Sequence, residues 1–197
     1  RKCSEHGRQF AAKFAYQTAL CGGVVVSGIA DGIDQYAHKG AHLAGKPSIA
    51  VLPCGVDVLY AESCRELYAY TERYGALISE YLPKTKARKT HFEARNRIIS
   101  ALSQAVVVVE AGERSGAFLT VNHAIEQNKQ VFAVPGSPDS PYSKGTNLLL
   151  SEGAMICTDA RSVLSSLGSV FQQKLTPLET VKKQQAEEKK KKAAKEK

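Results

Sequence analysis

Short apolar runs alternate with longer segments of helical periodicity along most of this chain. Val24–Val26, Ser48–Leu52, Ala76–Ser79, Ala105–Glu110, Val131–Val134 and Ala154–Cys157 read as strands. They are mostly continuous runs of Val, Ile, Leu and Ala rather than strict apolar–polar alternations, the pattern of strands covered on both faces. Between them lie helical patterns. Glu5–Leu20 sets Phe10, Phe14 and Leu20 on a common side and is closed by Gly22-Gly23. Ile33–Ala44, Ser63–Tyr74, Phe92–Leu102 and Leu119–Gln127 follow, then a helix opening within Asn147–Glu152 and a last turn or two over Ser162–Leu167. Strands of about four to six residues alternating with helices predict a three-layer α/β fold: a mostly parallel sheet with helices on both faces. In such sheets ligands bind beyond the carboxyl ends of the strands. Ser27-Gly28, Pro53–Gly55, Glu110–Gly116 and Pro135–Ser137 all follow strands and are expected along that edge. The first recognisable element is a helix, whereas a parallel α/β domain normally opens with a strand. A strand preceding Arg1 is therefore expected.

Charge changes this picture mainly at the carboxyl end. The formal net charge is +8, but Lys182–Lys197 holds eight Lys and three Glu, so the body is only mildly basic. Residues 169–197 are expected to be a linker and a solvated or disordered Lys-rich tail, because Val181–Lys197, weakly helical at most, shows no apolar stripe with which to pack. The five cysteines form no C-x-x-C pair and read as reduced, mostly buried thiols of a cytoplasmic protein. No apolar run approaches the roughly 20 residues of a membrane span.

Two loops have the form of phosphate cradles. Val24–Asp34 (VVVSGIADGID) delivers Ser27-Gly28 from a buried strand to a helix start, and Gly112–Thr120 (GERSGAFLT) does so with Ser115-Gly116. Neither is a dinucleotide fingerprint or a Walker loop, and simple helix capping is the alternative for both. Asp31, a carboxylate inside the first loop, opposes phosphate binding there. Between the loops, Lys84–Arg97 (KTKARKTHFEARNR) gathers Lys84, Lys86, Arg88, Lys89, Arg95 and Arg97 around His91 and Phe92. Basic side chains neutralise phosphates and an interleaved aromatic can stack on a base; a solvated basic loop with Phe92 in the core is the alternative. Arg95 and Arg97 fall on different helix faces, so one is expected to be structural and to pair with Glu80, Glu93 or Glu110. His38 and His42 are spaced i, i+4 but lack the Glu of a zinc-protease motif. No Ser–His–Asp set and no acid–base carboxylate pair stands out. No metal and no cofactor are expected.

Taken in order, several segments resemble the DNA-processing protein A (DprA, or Smf) family. They are Val25–Asp34, Ala37–Ala41, Ile49–Leu52, Gly55–Tyr60, Gly75–Glu80, Phe92–Leu102 (FEARNRIISAL), Val107–Thr120, Val131–Ser137 and Gly145–Gly153. The resemblance covers roughly residues 1–167, and the F-x-x-R-N-R-I-I-x-x-L segment followed by the E-x-x-x-x-S-G loop is its most specific part. It implies a Rossmann-like domain that binds single-stranded DNA without turnover and acts as a dimer. Such proteins serve natural transformation, protecting incoming strands and loading the RecA recombinase. The family's DNA pocket maps onto Arg1, Ser27, Gly28, Lys89, Phe92, Ser115 and Gly116; Arg95, Arg97 and Arg114 complete the basic set read from the sequence. The residues that precede the family's motif Arg are absent, Asp31 stands where Arg is common, and a Lys-rich tail follows Leu175–Glu179 where a winged-helix module would begin. The competing enzymatic reading is a phosphoribohydrolase of the same superfamily, whose P-G-G-x-G-T-x-x-E motif Glu110–Thr120 does not reproduce. A scaffold whose loops bind no ligand is a third reading.

Overall fold

A computed structural model describes residues 3–170 and 175–195; Arg1, one of the predicted contacts, lies outside the described residues. Six strands are seen: β1 (Val25–Ser27), β2 (Ser48–Val51), β3 (Ala76–Ile78), β4 (Ala105–Val108), β5 (Gln130–Ala133) and β6 (Met155–Ile156). Every pairing is parallel, as the continuous apolar runs require. They form two three-stranded ladders, β1-β2-β3 and β4-β5-β6, rather than one sheet.

The helices are α1 (Glu5–Leu20), α2 (Ile33–Leu43), α3 (Arg65–Tyr74, after a 3-10 turn at Glu62–Cys64), α4 (Lys89–Leu102), α5 (Ala117–Glu126), α6 (Lys144–Ser151), α7 (Ala160–Val170) and α8 (Leu178–Lys195). Several begin two or three residues before the first periodic apolar position. At α7 the cause is Asp159, whose Oδ1 accepts the Ser162 N–H at 2.9 Å and fixes the start at Ala160.

Alternation along β4 separates two cores. Val107 and Val109 face α1 and α7, in a cluster with Ala11, Phe132 and Val163. Val106 and Val108 face α5 and α6, with Val121, Ala124 and Leu149. On the other ladder, α3 contributes Leu67 and Tyr68 against Ala50 and Leu52.

The expectation that the tail cannot pack is corrected. Residues 178–195 are helical, and the first turns of α8 dock on the body. Val181 is buried, Gln185 Nε2 donates to Tyr16 Oη at 3.3 Å, Thr176 N–H donates to Cys21 O at 2.9 Å, and Glu179 pairs with Arg161 at 3.0 Å. One buried valine and a few polar contacts suffice where an apolar stripe is lacking. The five cysteines are unpaired, four of them buried. Burial pushes the Cys54 and Cys157 thiols up to about 11.

The two predicted histidines go separate ways. His42 stacks on Tyr70 with ring centroids 3.7 Å apart. His38 is buried, with Nδ1 2.9 Å from Ser48 Oγ, itself 3.4 Å from Thr71 Oγ1. Burial holds the His38 pKa down at about 4; Asp34 works against this and Arg95 with it. An unfolded chain takes up that proton near pH 6.5, while the folded one refuses it until about pH 4. Stability present above pH 6.5 is therefore expected to be lost as pH falls through that window. Thermal melts between pH 7.5 and 4 should show it, and His38→Asn should flatten the slope.

Candidate nucleic-acid interface

The loops after β1 and β4 and the start of α4 meet around one cleft of about 1000 Å³. Of the predicted residues, Ser27, Lys89, Phe92, Arg95, Arg114, Ser115 and Gly116 line it; Gly28 and Arg97 do not.

Lys89 is the first residue of α4, and Phe92 lies one turn on. The preceding Arg88 is extended (φ −130°, ψ 156°) and provides no side-chain cap, and no acidic residue occupies the first turn. The helix therefore presents uncompensated N–H groups and its positive dipole end beside the Lys89 ammonium. Across the cleft, α5 begins in the same way. Its first turn has no acidic residue, and Ser115 Oγ accepts the Ala117 N–H at 3.2 Å. Ser115, one residue before the Gly116 N-cap, thus satisfies one N–H of the first turn at a helix end that faces the cleft. Lys89 and Arg114 are both exposed, and neither makes an ion pair among the described residues.

The two arginines of α4 divide as the helical spacing requires. Arg97 leaves the cleft and forms a forked ion pair with Glu80, both side chains about half exposed. Its predicted place on a phosphate is corrected to this pairing. Arg95 turns inward and is 4% exposed. Its Nη1 donates to Gly28 O at 3.1 Å and to Val51 O, joining the carboxyl ends of β1 and β2. Tyr60 Oη donates to the same Gly28 carbonyl, and burial raises that phenol's pKa.

The first loop is accordingly closed. Gly28 is buried against the Arg95 guanidinium, and a Cβ there would collide with it. The Ser27 hydroxyl donates to Asp34 Oδ1 at 2.8 Å. Ile29 (φ 51°) and Gly32 (φ 96°) complete the turn into α2. Asp31 accepts from Ser63 Oγ. At Ser27-Gly28 the hydroxyl and the Gly28 carbonyl are engaged within the protein and form a structural joint.

Phe92 is half-buried. Its ring lies edge-on to Tyr60 (centroids 5.5 Å apart, planes at 83°), and the Arg95 guanidinium sits 5.6 Å from its centroid. Of the five acids that line the cleft, Asp31, Asp34, Glu110 and Glu113 have protein partners, whereas Glu93 is exposed and makes no ion pair among the described residues. Glu110 accepts from Ser4 N at 2.9 Å and from Ser4 Oγ, at the amino end of α1, and Glu113 pairs with Lys144 at 3.3 Å. Sequence reading missed Tyr60 as the partner of both Gly28 and Phe92; only its place in the Gly55–Tyr60 segment marked it.

Parallel strands in three layers, with an aromatic and unpaired cations at their carboxyl edge, define a Rossmann-like α/β protein suited to an anionic ligand. The molybdenum cofactor carrier protein of Chlamydomonas reinhardtii shares the fold alone (TM-score 0.56, 20% identity, 87% of this chain and 91% of that one). The family model for DNA recombination-mediator protein A matches residues 1–168, and the chain belongs to that family. DNA processing protein DprA of Streptococcus pneumoniae is 40% identical over 167 residues (84% of this chain, 58% of that protein). DprA of Bacillus subtilis is 36% identical over 167 residues (85% and 56%). A crystal structure of the Streptococcus pneumoniae protein superposes with a TM-score of 0.77 (39% identity, 83% and 57% covered). A structure of Helicobacter pylori DprA, described for that protein's unique single-stranded DNA binding mode, also gives 0.77 (29% identity, 84% and 75%). The chain spans about half the length of the curated relatives it matches. Among the described residues no helix is long and apolar enough to cross a membrane, and no cluster of His, Cys, Asp and Glu could hold a metal ion.

Proposed function

We propose that this chain binds single-stranded DNA at the rim of the cleft, as part of a recombination mediator. Lys89 and Arg114 take phosphates, the amino ends of α4 and α5 add their dipoles, and Phe92 stacks a base. The observation that carries this reading is the sorting of the cations: Arg95 and Arg97 are engaged within the protein, whereas Lys89 and Arg114 have no ion-pair partner among the described residues and line the same cleft as Phe92. Stacking selects single strands, since paired bases hide their faces. Binding without turnover is favoured over hydrolysis because Asp34, Glu110 and Glu113 are each held by a protein donor. Membership in the family supports a role in protecting strands and passing them to a RecA-class recombinase, and action as a dimer.

Fluorescence-anisotropy titration with labelled oligo-dT, with a duplex control, tests the reading. Single strands should bind more tightly than duplex and with little dependence on sequence. The two phosphate contacts should contribute a slope of about −1.4 in log K against log salt. A folded sample that binds neither form, or prefers duplex, would overturn it; release of free base from a nucleoside monophosphate would establish the enzyme instead.

A further inference from the structure

Three cations of the Lys84–Arg97 stretch do not line the cleft: Lys84, Lys86 and Arg88. They stand on a segment whose exposure alternates. Lys84, Lys86 and Arg88 are exposed, while Thr85 and Ala87 between them turn inward. That is the pattern of an extended chain, in which every second side chain points the same way and successive ones on a face stand about 6.5 Å apart. Arg88, the last of the three, has extended dihedrals.

The segment is held in this shape from below. Thr85 O accepts the Gly55 N–H at 2.9 Å, and Ala87 packs against the core that holds Leu52, Leu67 and Tyr68. Asp57 accepts the Lys84 N–H at 2.8 Å. Just beyond Arg88, His91 stacks on Tyr81 with centroids 4.0 Å apart. Its Nδ1–H donates to Pro53 O at 3.1 Å, which fastens the first turn of α4 to the end of β2. The cations themselves are not taken up by the protein. None of the three makes an ion pair among the described residues, and Glu80, which precedes them, is paired with Arg97.

Lys84 carries a further mark. Thr85 N–H donates to Leu82 O at 3.2 Å across a turn with Pro83 second and Lys84 third, and Lys84 has φ 67°. This is the geometry of a type II turn, whose third position favours glycine. A long cation there strains the backbone, and such strain is found where the side chain has a use.

We propose that Lys84, Lys86 and Arg88 form a track for the single strand as it leaves the rim. The proposal rests on the rim reading above and extends its footprint. Arg88 adjoins Lys89, so a strand whose base stacks on Phe92 passes from the Lys89 ammonium straight onto the row, one phosphate to each cation. A pinned, straight row on one edge suits a single extended backbone.

The test titrates an oligo-dT of about five nucleotides, which fills the rim, and one of about twenty, which also covers the track. Each is measured at several salt concentrations against the full chain and against Lys84→Gly/Lys86→Gln/Arg88→Gln. In the full chain the long strand should give a slope of log K against log salt steeper than the short one by about 2, from three further single-strand phosphates. In the variant the two slopes should coincide, with affinity at low salt lowered at least about tenfold for the long strand and less than about threefold for the short one. Lys84→Gly alone should make the long-strand slope shallower by about 0.7 without lowering the melting temperature, because glycine relieves the turn. Equal slopes for the two strands in the full chain, or a long-strand slope that the triple variant leaves unchanged, would overturn the track while the rim stands. If neither strand binds a folded sample, rim and track fall together.

Discussion

Lys89→Ala combined with Phe92→Ala is expected to weaken oligo-dT binding at least about a hundredfold at low salt. A stacked base is worth about 1–3 kcal/mol, and a charge-assisted hydrogen bond about 1.5–3 kcal/mol. The two groups stand one helical turn apart on α4, so on the proposed interface they would meet neighbouring parts of one nucleotide chain. The single variants should fail differently. Lys89→Ala should make the salt slope shallower by about 0.7, while Phe92→Ala should leave the slope unchanged and lower affinity at every salt concentration. Because Phe92 also packs against Tyr60 and Arg95, Phe92→Leu is the needed companion: it keeps apolar bulk and removes the flat ring. Anisotropy titrations of these proteins, each with its unfolding curve, decide the matter. Wild-type affinity in a folded double variant would remove Lys89 and Phe92 from the interface.

Replacing Arg95 by Met should cost about 2–4 kcal/mol of stability. Three hydrogen bonds from a charged donor are lost, two to buried carbonyls at about 1.5–3 kcal/mol each and a long one (3.3 Å) to Asn96 Oδ1, and the relief of desolvating a guanidinium offsets part of that. No carboxylate pairs with Arg95 among the described residues; its bonds to Gly28 O and Val51 O hold two strand ends together. Arg95→Lys should recover less than half of the loss, because an ammonium is more strongly hydrated than a guanidinium and costs more to bury at this site. Urea unfolding at neutral pH measures both. A change within about 0.5 kcal/mol for Arg95→Met would show that this joint contributes little. Arg97→Met, which breaks only a half-exposed pair with Glu80, should stay below about 1 kcal/mol.

Those two arginines show how far the sequence carried. Spacing placed them on different faces and required one to be structural. It did not say that Arg95 was buried, because burial depended on the Gly28 and Val51 carbonyls, 67 and 44 residues away. A better local reading existed: Phe92, Arg95 and Ile99 repeat at i, i+3 and i+7, one stripe of a helix. The strands were legible because buried parallel strands are continuous runs of branched residues. Their division into two ladders was not, since pairing is a property of distant segments. The amino end of α4 was placed at Phe92 and lies at Lys89, where an uncapped turn left no signal. Gly28 was read for the N–H groups of its loop; that its missing Cβ also makes room for the Arg95 guanidinium was not legible. The docking of α8 depends on Tyr16, Cys21 and Arg161, and Val181 alone could not announce it.

The bed beneath Phe92 has a consequence for the kinetics of capture. The ring is braced from its edge by Tyr60 and approached by a guanidinium that is itself fixed to two strand ends. A stacking platform mounted this way is already ordered before any base arrives. The entropy lost on binding then falls on the flexible strand rather than on the protein. Encounter should accordingly proceed without a slow rearrangement of the site, and differences among oligonucleotides should show up in how long they stay bound rather than in how fast they arrive.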